Sequence, residues 1–394
     1  MQRKVIIYRD LLLPYSETFI PAQVESLTTY TGYYVGTSRT GNAASLISSD
    51  RSLTLSDRVA SPAFWKMALK LGGVVQGPWL RSLQALSANL IHAHFGIDGI
   101  WALFLARKLG LPLVVTFHGN DATGMDRHPS GQARVNPLDF FWKRGQFFRD
   151  LYVSRRAQLF AEAACVIAVS EFIREQLIQK GCPAEKVKVH YIGVDVDKFT
   201  PDPAVPREPV VLFVGRLVEK KGCEYLIRAI AQVQTILPNI ELVVIGDGPL
   251  RSALEQQAAH SLKHYRFLGA QSPAVVQDWM NRAAVFSVPS IKAQTGDAEG
   301  FGMVFAEAQA MGLPVVSFAT GGVPEAIAHG ETGFLAPEGD WETLAKYLLT
   351  LLQEPHIGER FAIAGRERIA KHFNIKHNTA QLEAIYDSVL AKTG

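Results

Sequence analysis

Cysteine is scarce: Cys165, Cys182 and Cys223 are the only three in 394 residues, scattered and without a C-x-x-C spacing. They cannot build a disulfide framework and do not suit a zinc site, so a reducing, cytoplasmic compartment is expected. Long apolar runs are also missing. No uninterrupted segment approaches the ~20 residues of a membrane-spanning helix. Arg9 and Asp10 break the apolar opening "MQRKVIIYRDLLLP", which does not read as a signal peptide. Nor is there charge of one sign: 40 basic residues minus 37 acidic leave +3, which argues against a nucleic-acid binder. The phosphate-loop pattern G-x4-G-K-S/T is absent, and "GDGPLR", from Gly246, lacks the third glycine of a dinucleotide fingerprint.

What is present is a foldable composition, 48% hydrophobic and 20% charged, long enough for two α/β domains. Strand-like runs alternate with helical patterns, which predicts parallel, doubly wound sheets. The first half offers strands at "KVIIY", "LIHAHF", "PLVVTF" and "CVIAVS", with helices at "ETFIPAQVESLTTY", "DGIWALFLARKLG" and "SEFIREQLIQKG". The second half offers "PVVLFVG", "IELVVIG", "RFLG", "AAVFSVP" and "LPVVSFA", with helices such as "CEYLIRAIAQVQTIL" and "MVFAEAQAMG". Pro201, Pro203, Pro206 and Pro209 follow one another closely, and proline continues neither a helix nor a central strand, so a linker is expected there. The expected division is 1–198, an N-terminal Rossmann-like domain; 199–372, a second one; and 373–394, a terminal helix that could pack back on the first. Two such domains leave an interdomain cleft at the carboxyl ends of their strands, the usual ligand position in open α/β sheets.

Three stretches at strand ends carry candidate chemistry. In "EGFGMVFAE", Glu299 precedes a short helix and Glu307 lies inside it, roughly 7 Å along the axis at ~1.5 Å per residue, which gives no reason to expect a carboxylate dyad. The helix start frees the amides of Gly302, Met303 and Val304 for phosphate. The segment reads as a clamp for a diphosphate and hydroxyls, or as a solvated loop with one structural glutamate. In "FVGRLVEKKG", Arg216 and Lys221 flank a loop that could neutralise a diphosphate without a metal, or be solvated surface cations. In "LPLVVTFHGND", His118 leaves an apolar strand, either to meet a substrate hydroxyl or to be satisfied by backbone.

Together these motifs resemble the retaining glycosyltransferases of family 4, of GT-B fold, over nearly the whole chain. "GRLVEKKG" looks like the family's G-R-L-x-x-x-K-G loop, "EGFGMVFAE" matches its E-x7-E motif, and "GGVPEAIAHGETGFL" matches the segment that follows. "VSEFIREQLIQKG" and "VHYIGVDVDKF" look like the domain junction. "SETFI", "HAHFG" and "TFHGND" are similar to the subgroup that builds exopolysaccharide, colanic-acid-like or lipopolysaccharide chains. The resemblance implies transfer of a sugar from a nucleoside diphosphate donor to a hydroxyl of a glycan or lipid-linked acceptor, with retention and no metal or other cofactor. Arg216 and Lys221 would hold the diphosphate and Glu307 the ribose hydroxyls. Glu299, with the amides of Phe301, Gly302 and Met303 and beside Val304, would hold the donor sugar; His118 would contact it near its reacting carbon. Where many relatives have a glycine pair, this chain reads "LLLPYSETFIP". Ser16, Glu17 and Thr18 are placed there on the acceptor side with His94 and Asp121; Ser16 or Thr18 could instead cap a helix.

The runner-up enzyme of the same architecture is a sugar-nucleotide 2-epimerase, and a non-catalytic nucleotide-sugar-binding protein is the alternative outside enzymes. "DVD", Asp195 to Asp197, formally matches a metal-binding D-x-D but opens the proline-rich stretch. His92 and His94 share one face of a strand without a third ligand nearby. Residues 125–158 mix aromatics with an excess of arginine and lysine, which suits either peripheral contact with an anionic membrane at its inner face or an ordinary helix with a solvated face.

Overall fold

The β-branched runs of the sequence become one large parallel sheet in each of two units of the chain, and Leu11–Leu12 pairs with Ser38–Arg39 in a small separate one. This computed structural model describes residues 2–12, 17–40, 47–126 and 144–393. One unit comprises residues 1–193 with 375–394, the other residues 194–374.

The first sheet contains β1 (Arg3–Tyr8), β2 (Tyr30–Gly36), β3 (Ser52–Thr54), β4 (Leu90–His94), β5 (Leu113–Phe117), β6 (Cys165–Ala168) and β7 (Val187–Val189), in the order β3-β2-β1-β4-β5-β6-β7. The second contains β8 (Glu208–Val214), β9 (Glu241–Ile245), β10 (Tyr265–Gly269), β11 (Ala283–Ser287), β12 (Val315–Phe318) and β13 (Gly333–Ala336), in the order β10-β9-β8-β11-β12-β13. Each order reverses between its first and fourth strand, which is the switch point of a doubly wound sheet and its usual ligand position. Strands covered on both faces read as continuous apolar runs; β4 and β5 are buried at every residue, and both are legible in the sequence.

Other elements are not legible. The expected helix over 17–30 is α1, Phe19–Glu25 only, because Tyr30 already enters β2. Helices Pro62–Gly72 and Gly77–Ala85 and strands β2, β3, β7 and β13 also escape the pattern. The two sites depend on three further helices. Following β4 comes α2 (Gly96–Leu109), β8 leads to α3 (Cys223–Ile236), and α4 (Met303–Ala310) precedes β12. In α3 the buried Leu226, Ile227, Ile230 and Val233 recur at helical spacing and seat it on the sheet.

The terminal helix, α5 (Ile375–Thr393), belongs to the first unit. Its Leu382, Tyr386 and Val389 share a core with Val5, Tyr30 and Tyr34. Glu383 accepts from the amides of Thr28 (2.8 Å) and Thr29 (2.7 Å), and Tyr386 bonds His92 Nδ1 at 2.6 Å. The proline-rich stretch is part of the second unit and is anchored to it. Asp202 N donates to Asn281 Oδ1 at 3.0 Å, and Arg207 donates to the carbonyls of Met280, Ala283, Met311 and Gly312. All three cysteines are buried and free. Among the described residues no helix is long and apolar enough to cross a membrane.

Candidate functional site

In the second unit, the loops after β8 and β11 lie beside the switch point and are braced to each other. Ile291 N donates to the Lys220 carbonyl (2.9 Å), Gln294 N to Glu219 Oε1 (2.9 Å), and Lys220 Nζ pairs with Asp297 Oδ1 at 3.0 Å. Gly222 has φ 61°, and a Cβ there would lie 1.8 Å from the Pro289 carbonyl oxygen, so only glycine lets the two loops close. Within this frame Lys221 Nζ forms an ion pair with Glu299, both side chains largely buried. The segment after β12 closes the far side. Gly322 N donates to the Glu299 carbonyl at 2.9 Å, and a Cβ on Gly322 would stand 2.0 Å from the Gly300 oxygen.

Charge around the two glutamates is unequal. Burial alone would raise Glu299, but Lys221, Lys220 and Arg216 hold it down to about 2, so it is ionised. Burial pushes Glu307 up to about 7, opposed only by Lys198, and its carboxylate has no hydrogen-bond partner among the described residues. Arg216 is exposed, and its guanidinium has neither a hydrogen bond nor an ion pair among the described residues. The amides of Gly302, Met303 and Val304, at the start of α4, likewise meet no protein acceptor among those residues. Phe301 is buried, its ring 5.0 Å from Phe373. A free cation, a paired one and bare helix-start amides make a place for an anion, with an ionised carboxylate alongside it for hydroxyls.

In the first unit, His118 follows β5. Asp121 shapes its turn, accepting from the amides of Gly96 (2.8 Å), His118 (3.1 Å) and Gly119 (2.9 Å). The His118 ring is packed among Phe95 (4.5 Å), Phe19 (5.1 Å) and His94 (5.3 Å), and its Nε2 lies 3.1 Å from His94 Nδ1. Burial, with the neighbouring His92 and the positive charge of Arg9, lowers His118 to about 3, so the ring is neutral. Phe95 holds φ 70°, a left-handed conformation rare for an aromatic residue, which aims its ring between His118 and the Arg9 guanidinium (4.4 Å). Arg9 grips Glu17 with two bonds of 2.8 Å and also pairs with Asp98.

Several residues expected on the acceptor side do other work. Glu17 is buried and bound to Arg9, Asp121 is buried under three backbone amides, and His94 is buried beneath His118. Glu17 and Asp121 are thus spent on internal partners, and His94 is buried with only its Nδ1 bonded. Thr18 stands at the cap position of α1 but its side chain makes no cap bond. Ser16 lies outside the described residues. His92 has both ring nitrogens satisfied, by Tyr386 and Thr116. Asp195 turns its carboxylate to the amides of Asp197 and Lys198 (3.1 Å each), a local cap. Among the described residues no cluster of three or more His, Cys, Asp or Glu suits a metal. Gly246, in "GDGPLR", packs on the loop after β8, where a Cβ would stand 1.9 Å from the Gly215 oxygen. Much of 125–158 lies outside the described residues. Of its cations, Arg156 is buried against Asp126 (2.7 Å), and Arg155 donates to the carbonyls of Lys70 and Leu71. Sequence reasoning missed Arg9, Asp98 and Phe95; the signal was Arg9 standing at a strand end.

Known structures share this architecture. HepE from Anabaena, solved with UDP-glucose, superposes with a TM-score of 0.73 at 20% identity, over 98% of this chain and 99% of that one. The lipopolysaccharide outer core galactosyltransferase WaaB, in its apo form, gives 0.64 at 16% identity, over 98% and 99%. The fold is GT-B. Residues 196–368 match the Glycosyl transferases group 1 and residues 39–198 match Glycosyltransferase Family 4. The chain is 30% identical over 318 residues to the putative colanic acid biosynthesis glycosyltransferase WcaL of Salmonella typhimurium, covering 78% of this chain and 72% of that one. It is 34% identical over 300 residues to the amylovoran biosynthesis glycosyltransferase AmsK of Erwinia amylovora, covering 74% and 68%. The chain belongs to this family of glycosyltransferases.

Proposed function

We propose that this glycosyltransferase moves a sugar from a nucleoside diphosphate sugar to a hydroxyl of a glycan or lipid-linked acceptor, in synthesis of a bacterial surface or exopolysaccharide. The transfer retains the anomeric configuration and needs no divalent ion. The observation that carries this reading is the Lys221–Glu299 pair beside the Arg216 guanidinium and the α4 amides, which have no partner among the described residues.

Arg216 and Lys221 take the diphosphate and stabilise the charge that builds on it as it departs, the part a divalent ion plays in other designs. The amides of Gly302, Met303 and Val304 share that charge. Glu307 accepts from the ribose hydroxyls and Glu299 from a hydroxyl of the donor sugar. His118 contacts the sugar near the reacting carbon. The acceptor oxygen attacks on the face that the phosphate leaves, and a phosphate oxygen takes its proton, so neither glutamate serves as a base. The reading also places the protein at the inner face of the membrane, which preferential cosedimentation with anionic over neutral liposomes at low salt would support and equal recovery would refute.

Release of nucleoside diphosphate from a panel of UDP- and GDP-sugars, with and without an acceptor extract, tests the reaction. Release that depends on the extract supports transfer. Isomerised nucleotide sugar without release would point to an epimerase, and neither product to a binding protein. A thermal-shift screen of the same nucleotides identifies the base, because a ligand bound only by the folded chain raises its melting temperature.

A further inference from the structure

Three histidines gather at the carboxyl ends of β4 and β5, and their hydrogen bonds differ in kind. His92 has a partner at each ring nitrogen, Tyr386 Oη and Thr116 Oγ1. His94 and His118 share a single bridge, from His94 Nδ1 to His118 Nε2 at 3.1 Å. The nitrogens left over are not equivalent. His94 Nε2 is buried without a partner among the described residues. His118 Nδ1 also has no protein partner among them, but its residue is partly exposed.

Burial keeps both rings neutral, and the positive charge of Arg9 acts in the same direction on each. Each neutral imidazole carries one proton, so in the bridge one ring donates and the other accepts. If His118 donated from Nε2, His94 would carry its own proton on Nε2, as a buried N–H with no acceptor. Such orphaned donors are rare in native structures because the lost hydration is not replaced. If His94 donates from Nδ1, only a lone pair is left buried, and the His118 proton sits on Nδ1 at the open edge of the ring.

We propose that His94 is a positioning residue that holds His118 as its Nδ1–H tautomer, so that His118 offers a hydrogen-bond donor, and no base, to an oxygen of the sugar. The inference rests on the sugar contact assigned to His118 above. It deepens that assignment: an imidazole with its lone pair spent on His94 cannot take the acceptor's proton, and the leaving phosphate is left to do so.

Long-range 1H–15N spectra of the full chain read the ring tautomer directly, with His118→Gln identifying the His118 signals. The expected wild-type spectrum shows His118 protonated at Nδ1. His94→Asn keeps an N–H donor near the position of Nδ1 and preserves that pattern. His94→Leu removes the donor and moves His118 to the Nε2–H form; should that variant fail to fold, the wild-type and His94→Asn spectra decide. A wild-type His118 protonated at Nε2, or a pattern indifferent to His94→Leu, overturns the proposal. In turnover, His94→Leu lowers kcat about tenfold with little change in KM for the nucleotide sugar, and His94→Asn restores most of it. A tautomer that switches while kcat stays at the wild-type level overturns the sugar contact of His118 instead.

Discussion

Lys221 and Glu299, 78 residues apart in sequence, form an ion pair with side-chain exposures of only 13% and 12%. In the free protein each therefore holds the other in place, and a diphosphate held by Lys221 as proposed would compete with Glu299 for the lysine. Breaking such a pair from one side strands a charge, which is destabilising by about 3–5 kcal/mol for buried pairs and by less where water reaches them. Lys221→Met and Glu299→Gln should each lower the melting temperature, and the double variant should recover part of the loss. Simple addition of the two losses would show that the residues do not act on one another.

Arg216 and Arg9 make a contrasting pair of arginines. Arg216 is exposed, with no hydrogen bond or ion pair among the described residues, so Arg216→Ala should change stability by no more than about 0.5 kcal/mol. It should still cost roughly one to two decades of turnover, the size of a lost charge-assisted contact. Arg9→Met should do the reverse to stability, because it strands the buried carboxylates of Glu17 and Asp98. Melting curves and initial rates on the two variants check both halves; a strongly destabilised Arg216→Ala would mean that Arg216 is structural.

Glu307 gives the site a pH signature. Its carboxyl is raised from an ordinary value near 4.5 to about 7 by burial, so the folded form binds its proton more tightly than the unfolded one. Its contribution to stability is therefore full below about pH 4.5 and is lost as pH rises through about 7. Glu307→Gln mimics the protonated state at every pH. The variant should gain on the wild type between pH 5 and pH 8, by about 2–4 °C in melting temperature for each kcal/mol in a unit of this size. A difference between the two proteins that does not vary over that range would show that Glu307 is not buried as described.

How much of this was legible in the sequence follows from periodicity and spacing. The fully buried strands declare themselves as apolar runs, and "GRLVEKKG" and "EGFGMVFAE" lie beside the switch point of the second sheet because glycine and charge mark strand ends there. By contrast, β2 carries Tyr30, Gly32 and Gly36, and Gly32 only makes sense once α1 lies across it: a Cβ there would be 2.3 Å from Val24. Glu17, His94 and Asp121, expected on the acceptor side, all have internal partners in the fold. A polar residue at a strand end can be spent internally, and only the fold shows Arg9, His118 or three amides as its partner.

Gly322 offers a test of the frame without touching a charged group. Its φ is ordinary, yet a Cβ would stand 2.0 Å from the Gly300 oxygen, so Gly322→Ala must push the Glu299–Gly300 backbone aside. A loss of stability of about 1–3 kcal/mol is expected, as for other overpacked sites, together with weaker nucleotide binding. Calorimetric titration of the variant with the nucleoside diphosphate that stabilises the wild type checks this; undisturbed affinity would separate Gly322 from the support of Glu299.

The central claim is that the diphosphate is held by Arg216, Lys221 and the amides of α4 rather than through a divalent ion. The most direct measurement is the initial rate of acceptor-dependent nucleoside diphosphate release in excess EDTA, compared with the rate in magnesium and in manganese. Equal rates in all three, with Lys221→Ala slowed by roughly one to two decades in each, are the predicted result. Activity that vanishes in EDTA and returns with either metal would contradict the account.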